Sequence, residues 1–309
     1  MSQLPLRLFP HHELKYYSFG VHAGVSNLLR NGTRLGGRKT IGKITQPINA
    51  YSRFPEYYWF ELAIRNHQRS LPTGQRVRIL DVGSPKMLGL YLGFKTEAEM
   101  TLTDISELNV DEYQTMWGGL EAKAKGKVIF ALQDARALAY GDAEFDIVYS
   151  MSVIEHIEGD EGDSRAVREL LRVLKPGGLL VLSVPFGTHY IEQKSIGVSG
   201  AARKTGDHEA YFFQRIYDPL VFQERILKHA PDLKQVTLTT VSRRNQWLGR
   251  AFGLLGENVR GALGFVNPLL SVAINCSSQG ISHPSKVNYG EVHRARDVYA
   301  DLILTGQKQ

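Results

Sequence analysis

Three aspartates, Asp81, Asp104 and Asp134, each occur at or just after a short apolar run in the first half of the 309-residue chain. Asp81 also lies two residues before Gly83. A carboxylate at the end of a parallel strand can accept hydrogen bonds from both hydroxyls of a ribose, which suits Asp104 and any adenosine-containing ligand. Taken singly, each aspartate is equally well explained as a turn or helix-capping residue after a strand.

A second candidate for chemistry is the pair Glu155-His156, which follows a fourth apolar run. An imidazole titrates near neutral pH and can accept a proton from a reacting group, with a carboxylate beside it. The alternative is that His156 caps or packs at the start of a helix. Further candidates for this role are His189, His208 and Tyr211.

These residues require a scaffold in which strands alternate with helices. Five apolar runs suit buried strands, at residues 77–82, 100–103, 128–132, 145–150 and 179–185. Such alternation predicts an α/β fold with a parallel sheet and right-handed crossovers. Ligands bind such sheets at the carboxyl ends of the strands, where the three aspartates and Ser150 fall.

The turn after the first strand is predicted to approach a ligand closely. Gly83 allows a sharp backbone turn, and Ser84 and Pro85 are expected as the N-cap and first residue of the next helix. The exposed N–H groups of that helix could receive an anionic group such as a carboxylate. A nicotinamide-binding turn is less well matched, because it needs two further glycines.

These segments together, over about residues 76–187, resemble the class I S-adenosylmethionine (SAM) dependent methyltransferases. The most specific match is Arg172–Gly178, Arg-Val-Leu-Lys-Pro-Gly-Gly, followed by a strand. Glu155-His156-Ile157 resembles the small-molecule, quinone-biosynthesis type branch of that family. The sequence departs from the family at Pro85 and Met87, which occupy the second and third glycine positions of its first motif.

The resemblance implies a Rossmann-like, doubly wound, mostly parallel seven-stranded sheet whose last strand is antiparallel. The closing strands are expected at residues 236–241 and 298–304. It also implies that SAM is the cofactor, with Asp134 at the adenine amino group and the backbone N–H of Ala135 at a ring nitrogen. The residues expected to hold SAM are Asp81, Gly83, Ser84, Pro85, Asp104, Ile105, Asp134, Ala135, Ser150 and Met151.

The domain prediction places a basic, partly flexible extension at residues 1–50 and a methyltransferase domain at residues 51–309. The extension holds seven Lys or Arg and one acid, a charge of +6 that equals that of the whole chain. Residues 20–50 are expected to be loop or disordered because they are rich in Gly, Asn, Thr and Arg. Within the domain we expect a core at 76–187, a lid at 188–217 and a helical insertion at 242–296.

The composition and the lack of long apolar segments indicate the compartment in which the protein is expected. The single cysteine excludes a disulfide within the chain, fits a reducing compartment and leaves no zinc cluster, so no metal site is expected. The first ten residues lack the features of a signal peptide, and no run of 18 apolar residues occurs. We expect a cytoplasmic protein, with contact at the inner face of the membrane as an alternative suggested by the basic extension and the apolar insertion.

The predicted function is methyl transfer from SAM to a small-molecule, lipid or glycan acceptor, with O- or C-methylation favoured and His156 and Glu155 as catalytic candidates. Adenine-N6 methyltransferases carry Asn/Asp-Pro-Pro-Tyr/Phe after the fourth strand, where this chain has Ser150-Met151-Ser152-Val153. Cytosine-C5 enzymes need a Pro-Cys nucleophile, and Cys276 lies in another context, so a nucleic-acid acceptor is disfavoured. The alternative from another class is a non-catalytic SAM-binding scaffold or membrane-surface partner, which the lost loop glycines favour. A nicotinamide oxidoreductase is a third, less well-matched hypothesis.

Overall fold

The computed structural model describes residues 10–31, 54–72, 74–195, 210–241 and 300–309. The predicted insertion at 242–296 lies outside the described residues, as does His208. The basic extension is described only over residues 10–31, and the predicted lid only over 188–195 and 210–217.

Within the described residues, seven strands form one sheet and two more form a separate antiparallel pair. In chain order the strands are β1 Arg78–Val82, β2 Glu99–Asp104, β3 Lys127–Leu132, β4 Phe145–Met151, β5 Leu174–Phe186, β6 Ile191–Ser195, β7 Tyr211–Ile216, β8 Leu233–Val241 and β9 Ala300–Lys308. The large sheet has the order β3-β2-β1-β4-β5-β9-β8, and β6 pairs with β7 antiparallel.

The predicted sheet is confirmed in strand direction as well as in strand number. Strands β1 to β5 are mutually parallel where they pair, whereas β9 runs antiparallel to both β5 and β8. Strands β1, β4 and β5 are buried for most of their length, as expected of parallel strands covered on both faces. The carboxyl ends of β1 to β4 therefore meet at one edge of the sheet.

Helices cover both faces of the sheet. They are α1 Pro10–Asn31, α2 Phe54–Ser70, α3 Met87–Lys95, α4 Glu107–Gly118, α5 Gly162–Val173 and α6 Pro219–Arg225, with 3₁₀ turns at Glu121–Lys123, Ile154–His156 and Leu227–His229. Helices α1 to α4 contribute to the apolar core on one face, and α5 and α6 contribute to the core on the other. In the part of the chain that the structure describes, none of the helices combines the length and the apolar character that crossing a membrane requires.

The expectation of loop or disorder over residues 20–50 is wrong for residues 20–31, which belong to α1. Tyr16, Phe19 and Ala23 lie on one face of this helix and are buried. The rings of Tyr16 and Phe19 meet the ring of Tyr91 at centroid distances of 5.1 and 5.4 Å. Burial of these aromatic rings offsets the poor helix propensity of the glycines in this segment, which the sequence prediction weighed too heavily.

A buried carboxylate ties α1 to α2. Glu61 of α2 is 4% exposed. It accepts hydrogen bonds from Tyr16 and from Arg65, and the ammonium of Lys15 lies 2.6 Å from Oε2. Burial alone would raise the pKa of Glu61, but the hydrogen bonds from Lys15, Tyr16 and Arg65 outweigh it and lower that pKa.

We expect Glu61→Gln to reduce the free energy of unfolding at pH 7 by about 1.5–3 kcal/mol, the range for hydrogen bonds to a charged group. Because the pKa of Glu61 is lower in the folded protein, its contribution is present above the unfolded pKa of about 4.3 and disappears as the pH falls through the folded value. Urea titrations from pH 7 to pH 3 should therefore show the difference from wild type shrinking below about pH 5.

The matched control is Glu107→Gln, which changes an exposed acid in the first turn of α4. We expect this variant to stay close to wild type across the pH range. A stability difference for Glu61→Gln that is the same at pH 7 and pH 3 would contradict the role given to its charge.

Candidate functional site

A cavity of about 580 Å³ lies at the carboxyl ends of β1 to β4. Its wall comes from loops that follow these four strands and from strand β7, which closes one side. The residues that line it are Val82, Gly83, Asp104, Ile105, Asn109, Gln133, Asp134, Ala135, Arg136, Val153, His156, Ile157, Glu158, Tyr211, Phe212 and Phe213.

The cavity brings together six of the twelve residues predicted from the sequence. The six are Gly83, Asp104, Ile105, Asp134, Ala135 and His156. The other six lie behind the wall or beside it, and are Asp81, Ser84, Pro85, Ser150, Met151 and Glu155. The roles of these residues stay predictions, although their positions separate those that could touch a ligand from those that could act only through a neighbour.

Asp81 does not face the cavity, contrary to the expectation that it would line it. Its side chain is fully buried and accepts hydrogen bonds from the Tyr149 hydroxyl at 2.9 Å and from the Ser84 backbone N–H at 2.9 Å. Burial raises the pKa of Asp81, and this effect is opposed by the Lys86 ammonium and by the bonds from Tyr149 and Ser84. Asp81 therefore joins β1, β4 and the following loop beneath the cavity.

The loop after β1 takes a tight turn that depends on Gly83. Gly83 has φ of +71°, a left-handed conformation that glycine adopts without strain. A Cβ atom at this position would lie 2.7 Å from Val153 Cγ1. Both the backbone angle and the close approach of Val153 therefore require glycine here.

The prediction that Ser84 and Pro85 begin the next helix is wrong, because α3 begins at Met87. The backbone N–H of Ser84 donates to Asp81, and the Ser84 hydroxyl accepts from the backbone N–H of Met151 at 2.9 Å. Tertiary contacts with β1 and β4 therefore occupy the donor and acceptor groups that a helix cap would use.

The ammonium of Lys86 occupies the space inside this loop. Lys86 is 1% exposed, and its Nζ donates to the Ser84 carbonyl at 2.5 Å and to Asp81 Oδ1 at 3.3 Å. Asp104 Oδ2 lies 4.0 Å away. A buried ammonium is stable only when it is paired, and Lys86 meets this need by neutralising the acids at the ends of β1 and β2.

Asp104 is held in a fixed orientation at the cavity wall. Its Oδ1 accepts from the Ser106 backbone N–H at 2.9 Å, and its Oδ2 accepts from Asn109 Nδ2 at 3.3 Å. A carboxylate has about four acceptor positions, so Asp104 can also accept bonds from a ligand. Its side chain is 13% exposed, as suits a group that faces a cavity.

Asp134 is paired with Arg136, a residue that the sequence prediction missed. The guanidinium of Arg136 donates to Asp134 Oδ1 from Nε at 3.0 Å and to Oδ2 from Nη2 at 2.6 Å. These bonds lower the pKa of the Asp134 carboxyl, which keeps it ionised and able to accept a hydrogen bond. Arg136 lies two residues after the predicted acid, and no motif in the sequence marks it.

His156 lines the cavity where strand β7 closes it. Its Nδ1 is 2.7 Å from the backbone carbonyl oxygen of Phe213, and the two rings meet edge to face at 5.2 Å. Because a carbonyl oxygen only accepts, Nδ1 carries the proton, and in the neutral ring the lone pair is on Nε2. Glu155 Oε1 lies 3.8 Å from Nε2, although Glu155 itself is buried and does not line the cavity.

The other two described candidates for the base, Tyr211 and His189, differ in whether they line the cavity. Tyr211 lines the cavity together with Phe212 and Phe213. His189 is exposed and does not line it. The contribution of the Phe213 carbonyl was missed, because a backbone acceptor leaves no signal in the sequence.

A second concavity, of about 550 Å³, opens at the other edge of the sheet, near the amino ends of β1 and β2. Basic side chains line it, including Arg65, Arg76, Lys95 and Lys125. None of the residues predicted to do chemistry lies there, so we place the functional site in the cavity at the carboxyl ends.

Comparisons with known proteins find methyltransferases. Residues 80–182 match a family model described as a methyltransferase domain. A stretch of 136 residues is 29% identical to a sterol 24-C-methyltransferase of Gibberella zeae, covering 42% of this chain and 34% of that protein. A stretch of 120 residues is 31% identical to an O-methyltransferase of Penicillium expansum, covering 37% of this chain and 40% of that protein. The chain thus spans about a third to two fifths of the length of these relatives.

Among solved structures, a SAM-dependent methyltransferase of Methanosarcina mazei matches with a TM-score of 0.46 and 18% identity. The match covers 79% of this chain and 96% of that one.

The residues of the cavity fit the nucleoside part of SAM. Asp104 offers acceptors for ribose hydroxyls, and Asp134 and Ala135 offer an acceptor and a backbone donor in the same cavity. The fit to the methionine part differs from the family motif, because Pro85 and Met87 replace two glycines and Lys86 brings a buried positive charge.

We expect Lys86→Met to reduce the free energy of unfolding by about 3–5 kcal/mol, because it leaves Asp81 as a buried charge without its ammonium partner. Chemical denaturation at pH 7 measures the change. The double variant Asp81→Asn with Lys86→Met removes both charges, and we expect it to recover part of the loss.

The control is Lys95→Met, which changes an exposed lysine at the end of α3, the helix that directly follows Lys86. Equal stability losses in Lys86→Met and Lys95→Met would show that the buried ion pair does not hold the loop.

Proposed function

We propose that the chain is a class I SAM-dependent methyltransferase that transfers a methyl group from SAM to a small-molecule acceptor, with O- or C-methylation favoured. The match of residues 80–182 to a methyltransferase domain and the order of the seven strands support this proposal. The observation that supports this most directly is the single cavity that contains Gly83, Asp104, Asp134 and His156. Acceptors for a nucleoside and a group able to take a proton therefore share one cavity.

In this mechanism the chain's own residues bind and orient the reactants. SAM supplies a methyl group on a positively charged sulfur, which is already a good leaving group. Asp104 accepts hydrogen bonds from the ribose, and Asp134 with the N–H of Ala135 binds the adenine edge. Most of the catalytic effect then comes from aligning donor and acceptor in one cavity.

His156 is the proposed general base. A hydroxyl or an acidic carbon must lose a proton when it attacks the methyl group, and an imidazole can accept it. The bond from Nδ1–H to the Phe213 carbonyl leaves Nε2 as the acceptor, and the Glu155 carboxylate 3.8 Å away favours the imidazolium that forms. Glu155 is buried, so it acts through His156 and not on the acceptor directly.

The chemical character of the wall suggests an acceptor with an apolar part. Val153, Ile157, Phe212 and Phe213 present apolar surface at the His156 end of the cavity. The sterol and O-methyl transferase relatives are named for small-molecule acceptors or for O-methylation, which agrees with this class. A lipid or glycan acceptor is the broader form of the same proposal.

A second candidate function is a SAM-binding scaffold without turnover. The observation that favours it is the loop after β1, where Lys86 takes up the space inside the turn and Asp81 is sealed from the cavity. This alternative expects binding of SAM or of its demethylated product, S-adenosylhomocysteine, and no transfer to any acceptor.

We expect Asp104→Ala to weaken S-adenosylhomocysteine binding by about tenfold to a hundredfold for each ribose bond lost, since such charge-assisted bonds contribute about 1.5–3 kcal/mol. Isothermal titration calorimetry measures the change. Asp111→Ala alters an exposed aspartate of helix α4, outside the cavity lining, and should bind as wild type does. Unchanged affinity in Asp104→Ala would remove Asp104 from the ribose site.

We expect labelled methyl from SAM to appear in at least one component of a metabolite extract incubated with the wild-type protein. His156→Gln should bind S-adenosylhomocysteine normally and lose at least tenfold in the rate of transfer, as is typical when a general base is removed. Binding with no transfer across broad acceptor pools would favour the scaffold instead.

A further inference from the structure

Strand β7 is joined to the turn that carries His156 by two separate sets of bonds. The first is the bond from His156 Nδ1–H to the Phe213 carbonyl. The second comes from Arg215, two residues further along β7, whose Nη1 donates to the Ile157 carbonyl at 2.6 Å and whose Nη2 donates to the Gly159 carbonyl at 2.7 Å. The guanidinium thus bonds to two backbone carbonyls of the turn that directly follows His156.

The Arg215 side chain can clamp the turn at residues 157–159 onto strand β7 because its own position is fixed by several contacts. It is 2% exposed, although it belongs to a two-stranded sheet beside the cavity. Its guanidinium lies over the Phe212 ring at 4.7 Å, and its Nε is 3.6 Å from Glu192 Oε1 and 4.0 Å from Asp163 Oδ2. These charges and the planar fork fix the guanidinium, since the five donors of arginine point in set directions.

The surroundings of Arg215 connect strand β7 to helix α5 as well. Asp163, at the start of α5, is fully buried and accepts from the Tyr217 hydroxyl at 2.7 Å and from Arg225. Strand β7, the turn and α5 are therefore parts of one polar network. Its hydrogen bonds and ion pairs hold β7 against the turn and against α5.

From this geometry we propose that Arg215 is a positioning residue that fixes the orientation and tautomer of His156 by clamping the turn at residues 157–159 onto strand β7. The role of His156 as the base rests on the proposed function, whereas the clamp itself is a property of the protein without ligands. Without the guanidinium the turn can move away from β7, and the Phe213 carbonyl no longer selects the Nδ1–H form of the ring.

The experiment is nitrogen-15 NMR of the histidine side chains in the full-length protein, with His156 assigned by comparison with His156→Gln. In wild type we expect the neutral His156 ring to be protonated on Nδ1. In Arg215→Met we expect a mixture of the two tautomers. Arg215→Lys keeps the charge but loses the two-carbonyl fork, and we expect the same mixture. Arg165→Met, an exposed arginine of α5, is the matched control and should keep the wild-type spectrum.

Binding of S-adenosylhomocysteine separates the clamp from the proposed function. Arg215 contacts none of Asp104, Asp134 and Ala135, the residues proposed to hold the nucleoside, so we expect the affinity of both Arg215 variants to change by no more than about twofold. A wild-type Nδ1–H tautomer that persists in a folded Arg215→Met or Arg215→Lys protein would overturn the clamp. Failure of wild type to bind S-adenosylhomocysteine would overturn the proposed function and leave the tautomer result to decide the clamp.

Should Arg215→Met not fold, Arg215→Lys decides the question, because it preserves the positive charge beside Asp163 and Glu192. Once an acceptor is known, Arg215→Lys should lower kcat at least tenfold and shift its pH profile, while the KM for SAM stays near the wild-type value. Loss of stability with an unchanged tautomer and pH profile would reduce Arg215 to a structural residue and contradict the proposal.

Discussion

The arrangement of the site depends on one buried ion pair, between Asp81 and Lys86. Asp81 lies at the centre of the sheet, where its carboxylate meets Tyr149 of β4, the backbone of Ser84 and the ammonium of Lys86. An ionised carboxylate without partners in this position would cost several kcal/mol, so these contacts must form together. They fix the loop after β1, and that loop brings Gly83 to the cavity wall and Lys86 to within 4.0 Å of Asp104.

Much of the scaffold could be predicted from the sequence because its strands are short and almost entirely apolar. Buried parallel strands such as β1 and β4 leave continuous apolar runs, and a polar residue at the end of each run marks the edge where ligands bind. Asp104, Asp134 and His156 were found this way, and all three line one cavity. Their positions follow from the order of the strands, which the alternation of strands and helices largely determines.

The rest could not be predicted, because it depends on contacts between residues far apart in the chain. Ser84 is a good helix cap by type, but it bonds to Asp81 and Met151 instead. Lysine is usually a surface residue, but Lys86 is buried because it pairs with the acids Asp81 and Asp104. The link between His156 and the Phe213 carbonyl joins positions 57 residues apart through a backbone atom, which no residue type can signal.

The central claim is that this edge of the sheet binds the nucleoside of SAM, and a crystal structure with S-adenosylhomocysteine tests it most directly. We expect the ribose hydroxyls within about 2.5–3.0 Å of the Asp104 carboxylate, the usual range for O–H···O bonds, and the adenine beside Asp134 and Ala135. Ligand density in the basic concavity at the other edge, or in the cavity without contact to Asp104, would contradict the account.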